Sequence, residues 1–438
     1  MRRMKARPFL AAVLAVALAL LSFGVVGWWL LGQRSPLALQ HQPLQLPLAA
    51  RFVPRTAPLS LHWLVGPEQP AAYARAVAPP RQRRAAAAAA DRLRDGAFAA
   101  AGLDYASELA PWLGGESSFA LLTPPETNQP PGWVLALRSR DQEGARRFLQ
   151  RFWQTRSLAG TDLQISSYRG MGLISGRGAL LGEDPRPLAT ALINDQLVLI
   201  ASGRGALEQA LDVSQIDELN QAASAPLQQA VQRLGRGVAL LTARPDAMER
   251  WLGLPAVATD DPAAPVELVA ALTPEGRSLH LEALTQVKQP LPRLAATGSE
   301  LLQRLQVPAR SLALIAQPAA LLSDAPDADP NPWRSLLGPL LRQALTSSGN
   351  GPLPLLLAQA DDGPLLWAQH NEGWLIGTRA DQPPLDALQP ALSAQGFSPS
   401  PLQSQGLSLQ AWTRLESKPV KGNPDQLQAQ LAGARSLQ

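Results

Sequence analysis

Apolar and polar positions divide the chain into three regimes. The first is a block: residues 9–31 are 23 consecutive residues without a charge. A helix of that length rises about 34 Å, enough to cross a hydrocarbon core of about 30 Å. Arg2, Arg3, Lys5 and Arg7 precede the block and only Arg34 follows it closely, so the excess of positive charge places the N-terminus in the cytoplasm and the remaining chain on the other side. A cleaved secretory signal has a shorter apolar core, and cleavage after Ser22-Phe23-Gly24 would leave an apolar new terminus over 25–31. Trp28 and Trp29 also suit the interfacial aromatic belt. The sequence therefore predicts a cytoplasmic basic tail over 1–8 and an uncleaved transmembrane anchor over 9–31.

The second regime, 32–54, is rich in Gln, Pro and Leu without helical or strand period, and it predicts a tether. From residue 55 the pattern alternates between periods of about 2 and about 3.6. Strands are predicted at 57–65, 118–123, 132–138, 238–243, 311–316, 365–369, 373–378 and 406–415, with a buried strand at 190–202. Hairpins are predicted for 163–168 with 171–175 around Arg169-Gly170, and for 266–272 with 277–287 around Thr273-Pro274-Glu275-Gly276. Helices are predicted at 73–102, 141–153, 203–213, 222–234 and 385–395. Within 141–153, Ala145, Phe148, Leu149 and Phe152 recur at helical spacing and mark a core face. From Glu416 the composition is polar and the chain is read as loose.

An internal echo organises these elements. Gly132-Trp133-Val134-Leu135 resembles Gly373-Trp374-Leu375-Ile376, each leading into a helix with a Leu-Gln pair, Leu149-Gln150 and Leu388-Gln389. Leu163-Gln164-Ile165 answers Leu409-Gln410-Ala411 at a similar offset, and Ala57-Pro58-Leu59-Ser60-Leu61 answers Arg310-Ser311-Leu312-Ala313-Leu314. The fold expected is α+β: an N-terminal transmembrane helix followed by two related modules of antiparallel sheet packed with helices. The modules fall at 55–215 and 306–416, with a connecting α/β block at 216–305 and a flexible tail at 417–438.

Charge changes the picture in one respect. The sequence pI near 9.8 suggests a nucleic-acid partner, but residues 1–34 hold five of the 39 Lys and Arg and no acid, leaving 34 basic against 35 acidic residues beyond them. A nearly neutral body carries no electrostatic footprint for nucleic acid. Arg81, Arg83, Arg84, Arg92 and Arg94, beside Asp91 and Asp95, form a local cluster, read as a solvated helix face or as a patch for anionic lipid or an acidic partner.

Candidate chemistry is sparse. With no cysteine, disulfides, thiolate metal sites and cysteine nucleophiles are excluded. No Gly-x-Ser-x-Gly elbow, Ser-x-x-Lys, P-loop or dinucleotide fingerprint occurs. The tripeptides at 176–178, 203–205 and 235–237 are Gly-Arg-Gly and are read as element boundaries, with an anion site at the Gly203 helix start as the functional alternative. His41, His62, His280 and His370 never stand at metal-pair spacing. Asp324, Asp327, Asp329 and Asn331 lack the glycine and glutamate that a calcium loop requires. No catalytic, cofactor-binding or metal-binding residue and no cofactor is assigned. A carboxylate pair drawn from distant positions, or a serine within reach of His62 or His280, would reopen the question.

The order Asp104-Tyr105, then Glu108-Leu109-Ala110-Pro111-Trp112-Leu113-Gly114-Gly115-Glu116, then Gly132-Trp133, Tyr168-Arg169-Gly170 and Ala191-Leu192-Ile193-Asn194-Asp195-Gln196-Leu197 resembles a family of uncharacterised bacterial proteins common in cyanobacteria. The resemblance is good over about 50–250 and loose beyond. It implies one N-terminal membrane span and an extracytoplasmic α+β domain, and it brings no catalytic residue. Together these observations lead us to expect a membrane-anchored, extracytoplasmic binding or scaffolding protein of the cell envelope, on the cell membrane or an internal membrane, with an unknown protein or envelope partner. The alternative is an envelope hydrolase with a nonlocal carboxylate or serine site.

Overall fold

The computed structural model describes residues 35–123, 131–158, 163–178, 186–254, 265–289, 299–303, 311–315, 337–340, 364–370, 373–377, 389–394, 396–404, 407–420 and 423–437. The anchor of 9–31 and the acidic loop of 324–332 lie outside them. Among the described residues no helix is long and apolar enough to cross a membrane. The fold is mixed α+β, with a large antiparallel sheet and packed helices. The chain divides into two compact units, one of residues 1–247 with 267–286 and one of 248–266 with 287–438.

The first unit is built on a ten-stranded sheet of order β10-β9-β8-β1-β2-β3-β7-β6-β5-β4. Its strands are β1 (Leu59–Trp63), β2 (Leu113–Leu122), β3 (Gly132–Ser139), β4 (Gln164–Tyr168), β5 (Met171–Gly178), β6 (Arg186–Ile193), β7 (Leu197–Ala201), β8 (Ala239–Ala243), β9 (Pro265–Glu275) and β10 (Ser278–Val287). Because successive side chains in a strand point to opposite faces, both faces of the middle strands carry core. Val134 and Ala136 of β3 and Leu197, Leu199 and Ala201 of β7 join one cluster with Phe52, Leu207 and Leu211. Leu135, Leu137, Val198 and Ile200 join the other, with Trp112, Phe148 and Phe152. Residues 216–305, set apart in the sequence reading as a connecting block, contribute β8, β9 and β10 to this same sheet, where β8 pairs β1.

Helices cover both faces. On one, α3 (Gln142–Leu158) buries Ala145, Phe148, Leu149 and Phe152, the four positions singled out by their spacing. Its Gly144 is a close approach: a Cβ there would stand 2.6 Å from Cβ of Trp112. On the other face lie α4 (Arg204–Gln215) and α5 (Ala225–Leu234), which bury Leu207, Ala210 and Leu211, and Leu227, Val231 and Leu234.

Four readings change. The helix expected over 73–102 is two, α1 (Gln69–Val77) and α2 (Arg83–Ala100), because Pro79-Pro80 removes two donors and forces the chain out of helix. The strand expected over 190–202 is the hairpin β6–β7, turned by Asn194 (φ 49°) and Asp195 (φ 58°); Asn and Asp tolerate the left-handed region that a tight hairpin needs. The stretch read as a loose tail contains β16 (Asn423–Leu437), paired antiparallel to β15 (Leu407–Val420). Leu427, Ala429 and Leu431 alternate there with Gln426, Gln428 and Gln430, a strand period.

The fourth change matters most. Residues 35–54 are not a free tether. They form two 3-10 turns, η1 (Pro36–His41) and η2 (Leu48–Phe52), and bury Leu39, Leu44, Ala49, Ala50, Phe52 and Val53. Short 3-10 turns carry no long period, so pattern alone conceals them. The segment is sewn down at several points: the Leu44 amide donates to Gly235 O at 3.0 Å, Gly237 N to Gln42 O at 3.0 Å, and Gln221 N to Val53 O at 2.9 Å.

The second unit contains a three-stranded sheet of β11 (Ser311–Ile315), β12 (Leu365–His370) and β13 (Gly373–Gly377), in that order and antiparallel. A second three-stranded sheet is made of β14 (Ser398–Ser404), β15 and β16. Trp374 stands at the start of β13, opposite Gln369.

If 35–54 is core, truncating Phe52 must be felt. Phe52→Ala is expected to destabilise the protein by about 3–5 kcal/mol, whereas an exposed tether residue would change stability within about 0.5 kcal/mol. Urea unfolding followed by tryptophan fluorescence reads the difference, and a silent Phe52→Ala would restore the tether.

Candidate functional site

The feature with most chemical content is a polar seam inside the first unit. Residues Ser60 and His62 of β1 share one face of the strand by their i, i+2 spacing. The register sets Ser60 beside Thr242 of β8 and His62 beside Ser118 of β2. All four are buried, at 0%, 0%, 1% and 3% exposure in that order of mention, Ser60, His62, Thr242, Ser118. Gln221, on the connection between α4 and α5, reaches across them. Its amide donates to Thr242 Oγ1 at 3.2 Å and its carbonyl accepts from Ser60 Oγ at 3.2 Å. Ser60 Oγ lies 2.7 Å from Thr242 Oγ1 and 3.1 Å from His62 Nε2.

The seam is capped by the N-terminal segment. Glu116, two residues before Ser118 on β2, is 5% exposed, and its Oε1 accepts the Ala49 amide at 2.9 Å. Arg51 donates to Ser214 O at 2.9 Å, and Arg55 donates to Asn220 O at 3.0 Å and Ala223 O at 2.8 Å. These bonds satisfy partly buried carbonyls that would otherwise carry a desolvation cost.

A serine hydroxyl at 3.1 Å from an imidazole nitrogen is the contact a nucleophile and its base require. The rest of the arrangement withholds it from that chemistry: Ser60 is fully buried and its oxygen is shared with Thr242 and Gln221, so no substrate carbonyl reaches it. Burial also lowers the His62 pKa from 6.5 to about 4, partly opposed by hydrogen bonding to Gln221. The ring is neutral at physiological pH. Its Nδ1 and the Ser118 hydroxyl have no hydrogen-bond partner among the described residues, so the seam is incompletely satisfied there.

The other positions singled out by sequence disperse. His41 and His280 are exposed, on η1 and on the edge strand β10; His370 lies on β12. Among the described residues no group of three His, Asp or Glu could hold a metal ion. Gly203 adopts φ 121° at the start of α4, a conformation that disfavours any side chain, and Arg204 on the first turn pairs with Glu208 at 2.7 Å. Arg169 (φ 51°) and Gly170 (φ 80°) turn the β4–β5 hairpin as expected, and Tyr168 Oη and Arg169 Nε both donate to Asp212, at 2.8 and 2.9 Å. On β9, burial raises the Glu267 carboxyl above its ordinary range, with Arg244 acting against the shift.

The arginine cluster resolves into two parts. Arg94 turns inward: it lies 3.8 Å over the Tyr105 ring and pairs with Asp91 and Asp95, each at 2.8 Å. Arg81, Arg83, Arg84 and Arg92 are exposed and, among the described residues, take part in no ion pair.

The seam predicts a pH dependence. The unfolded chain binds a proton at His62 below about pH 6.5 and the folded chain only near 4, so the stabilisation is complete above 6.5 and is lost as pH falls toward 4. At about 1.4 kcal/mol per pH unit the loss totals on the order of 3 kcal/mol. Urea denaturation between pH 7 and 4 is expected to show His62→Gln losing less stability than the native chain by about that amount. Parallel curves would contradict a neutral buried His62.

Comparisons with known proteins add kinship without chemistry. No curated protein matches the chain. Among solved structures, crystal form III of TP0453 is similar over 60% of this chain and 86% of that one, at 9% identity and a TM-score of 0.31. The family described as "Protein of unknown function (DUF3352)" matches over residues 13–432, and the chain, sheet, seam and second unit together, belongs to that family.

Proposed function

We propose that the protein is a membrane-anchored binding or scaffolding protein of the cell envelope, its body held on the extracytoplasmic side. The observation that carries this reading is the uncharged run of 23 residues flanked by basic residues on its N-terminal side, which has the length and charge asymmetry of a single span. The burial of Leu39 and Leu44 starts the folded body within a few residues of that run. Location on a cell membrane or an internal membrane, and an envelope partner, belong to the same proposal.

The hydrolase alternative loses its best candidate in the closed Ser60–His62 pair. Kinship of the two units is also part of the proposal. What supports it is that the order β11-β12-β13 follows the order β1-β2-β3; β4 and β15, which the echo also pairs, hold different places, an edge and a central strand.

Because the chain contains no cysteine, one exposed position gives a clean topological probe. Gln229→Cys, on the exposed side of α5, is expected to react with a membrane-impermeant maleimide in intact cells, or in spheroplasts where an outer membrane blocks access. Labelling only after inner-membrane lysis would reverse the topology. Mild crosslinking in native membranes is expected to retain the body in a species heavier than the monomer, and recovery of monomer alone would contradict the binding role.

A further inference from the structure

Helix α2 leaves an apolar face uncovered. A surface helix turns its apolar stripe to the core and its charges to water. In α2 the inward side carries Ala87, which is buried, and Phe98, which packs on the core and stacks on Tyr105; Arg94 lies over the same Tyr105 ring, and its partners Asp91 and Asp95 keep 40% and 53% of their side chains exposed. The opposite face, at the three- and four-residue spacing of one helical side, is Ala85, Ala89, Leu93, Gly96 and Ala97, with Arg92 the one charge among them; all six are exposed, and Leu93 reaches 77%. Ala89, Arg92, Leu93, Gly96 and Ala97 line a shallow hollow there. At the N-terminal end of the same helix stand the exposed cations Arg81, Arg83 and Arg84.

The position of this face in the fold identifies what covers it. Pro36, the first residue of η1, follows Leu31, the last of the apolar run, by five residues, and five residues reach at most about 18 Å. The η1 turn is fixed to the body: Leu39 is buried with Val65, Tyr73 and Val238, and Gln40 Nε2 donates to the Tyr73 hydroxyl of α1 at 3.0 Å. Helix α1 in turn packs on α2. If residues 9–31 span the bilayer, as the proposed function holds, the α1–α2 pair is kept beside the point where the chain leaves it.

We infer that the outward face of α2 lies on the surface of the membrane that anchors the protein, with Leu93 and the alanines against the acyl boundary and Arg81, Arg83, Arg84 and Arg92 on anionic lipid headgroups. Cations are attracted to any leaflet that carries anionic lipid, and the attraction decays within a Debye length, so the short reach from Leu31 is what makes them effective. The face is too small to hold a second copy by itself. An 18-residue helix is about 27 Å long and 10 Å wide, so two such faces bury well under the roughly 1,000 Å² that a specific interface needs. A lipid surface needs no such area, because the anchor already holds the helix at high local concentration.

The test uses the full chain reconstituted in vesicles, with single cysteines at Leu93, at Gln229 as a body reference and at Leu20 as an anchor reference, each labelled with an environment-sensitive fluorophore. Vesicles of phosphatidylcholine are compared with vesicles containing phosphatidylglycerol, both carrying a shallow nitroxide quencher. The Leu93→Cys label is expected to be blue-shifted and quenched several-fold more than the Gln229→Cys label in the anionic vesicles. Adding Arg83→Gln, Arg84→Gln and Arg92→Gln is expected to remove most of the difference. A Leu93 label as unquenched as the Gln229 label, with Leu20 quenched, would overturn the inference and leave the anchor standing. An unquenched Leu20 label would overturn the anchor and this inference with it. Equal quenching in neutral vesicles would remove the anionic headgroups, and a blue-shifted but unquenched Leu93 would assign the face to a second copy.

Discussion

A buried carboxylate can stay in a fold only where hydrogen bonds replace the water it has lost, and Glu116 finds one such bond on the Ala49 amide. This contact holds η2 across the sheet, and the rest of the first unit is arranged around the result. With η2 in place, Phe52 and Val53 complete the cluster built on β3, β6 and β7. Arg51 and Arg55 reach carbonyls of the 214–223 stretch, which brings Gln221 over Ser60 and Thr242. The N-terminal segment is thus both part of the core and the cover of the polar seam, and the closed seam is the reason that a serine–histidine contact exists without access for a substrate.

Much of the first unit was legible in the sequence because its signals are local. The alternation of β3 and the helical spacing of α3 each report a two-faced element, and both faces are filled as the periods require. Pro79-Pro80 and Asn194-Asp195 are local signals too, a helix breaker and a hairpin turn, yet the sequence reading ran one helix and one strand across them because the apolar runs on either side masked the interruption. The N-terminal turns and the seam were hidden for a different reason. Burial of residues 35–54 is decided by what stands opposite them, Gly235, Glu116 and Gln221, all distant in sequence. His62 was named as a candidate with no partner. Ser60 could have been read as its neighbour on the same strand face, whereas Thr242 and Gln221 are supplied by β8 and the α4–α5 connection, whose place beside β1 no local pattern encodes.

The same segment links structure to the proposed setting. A flexible linker of some twenty residues would let the body drift tens of ångströms from the bilayer. Folding residues 35–54 into the core removes that freedom and leaves only the few residues after Leu31. Under the proposed anchoring the body stays close to the membrane, and the uncovered face of α2 acquires a physical explanation: a helix side of alanines and an exposed leucine, with arginines near it, suits a surface that is partly apolar and negatively charged.

The central claim is that the chain is fixed to its core from Leu39 onward. Native-state hydrogen exchange of the full chain tests it most directly, because it reads the amides that the claim places in hydrogen bonds. The Leu44 and Ala49 amides, bonded to Gly235 O and to Glu116, are expected to exchange as slowly as those of α4, which covers the same face. Exchange of both at the rate of an unstructured peptide, with α4 protected, would mean that residues 35–54 are a tether after all, and would withdraw the close hold that the proposed membrane setting requires.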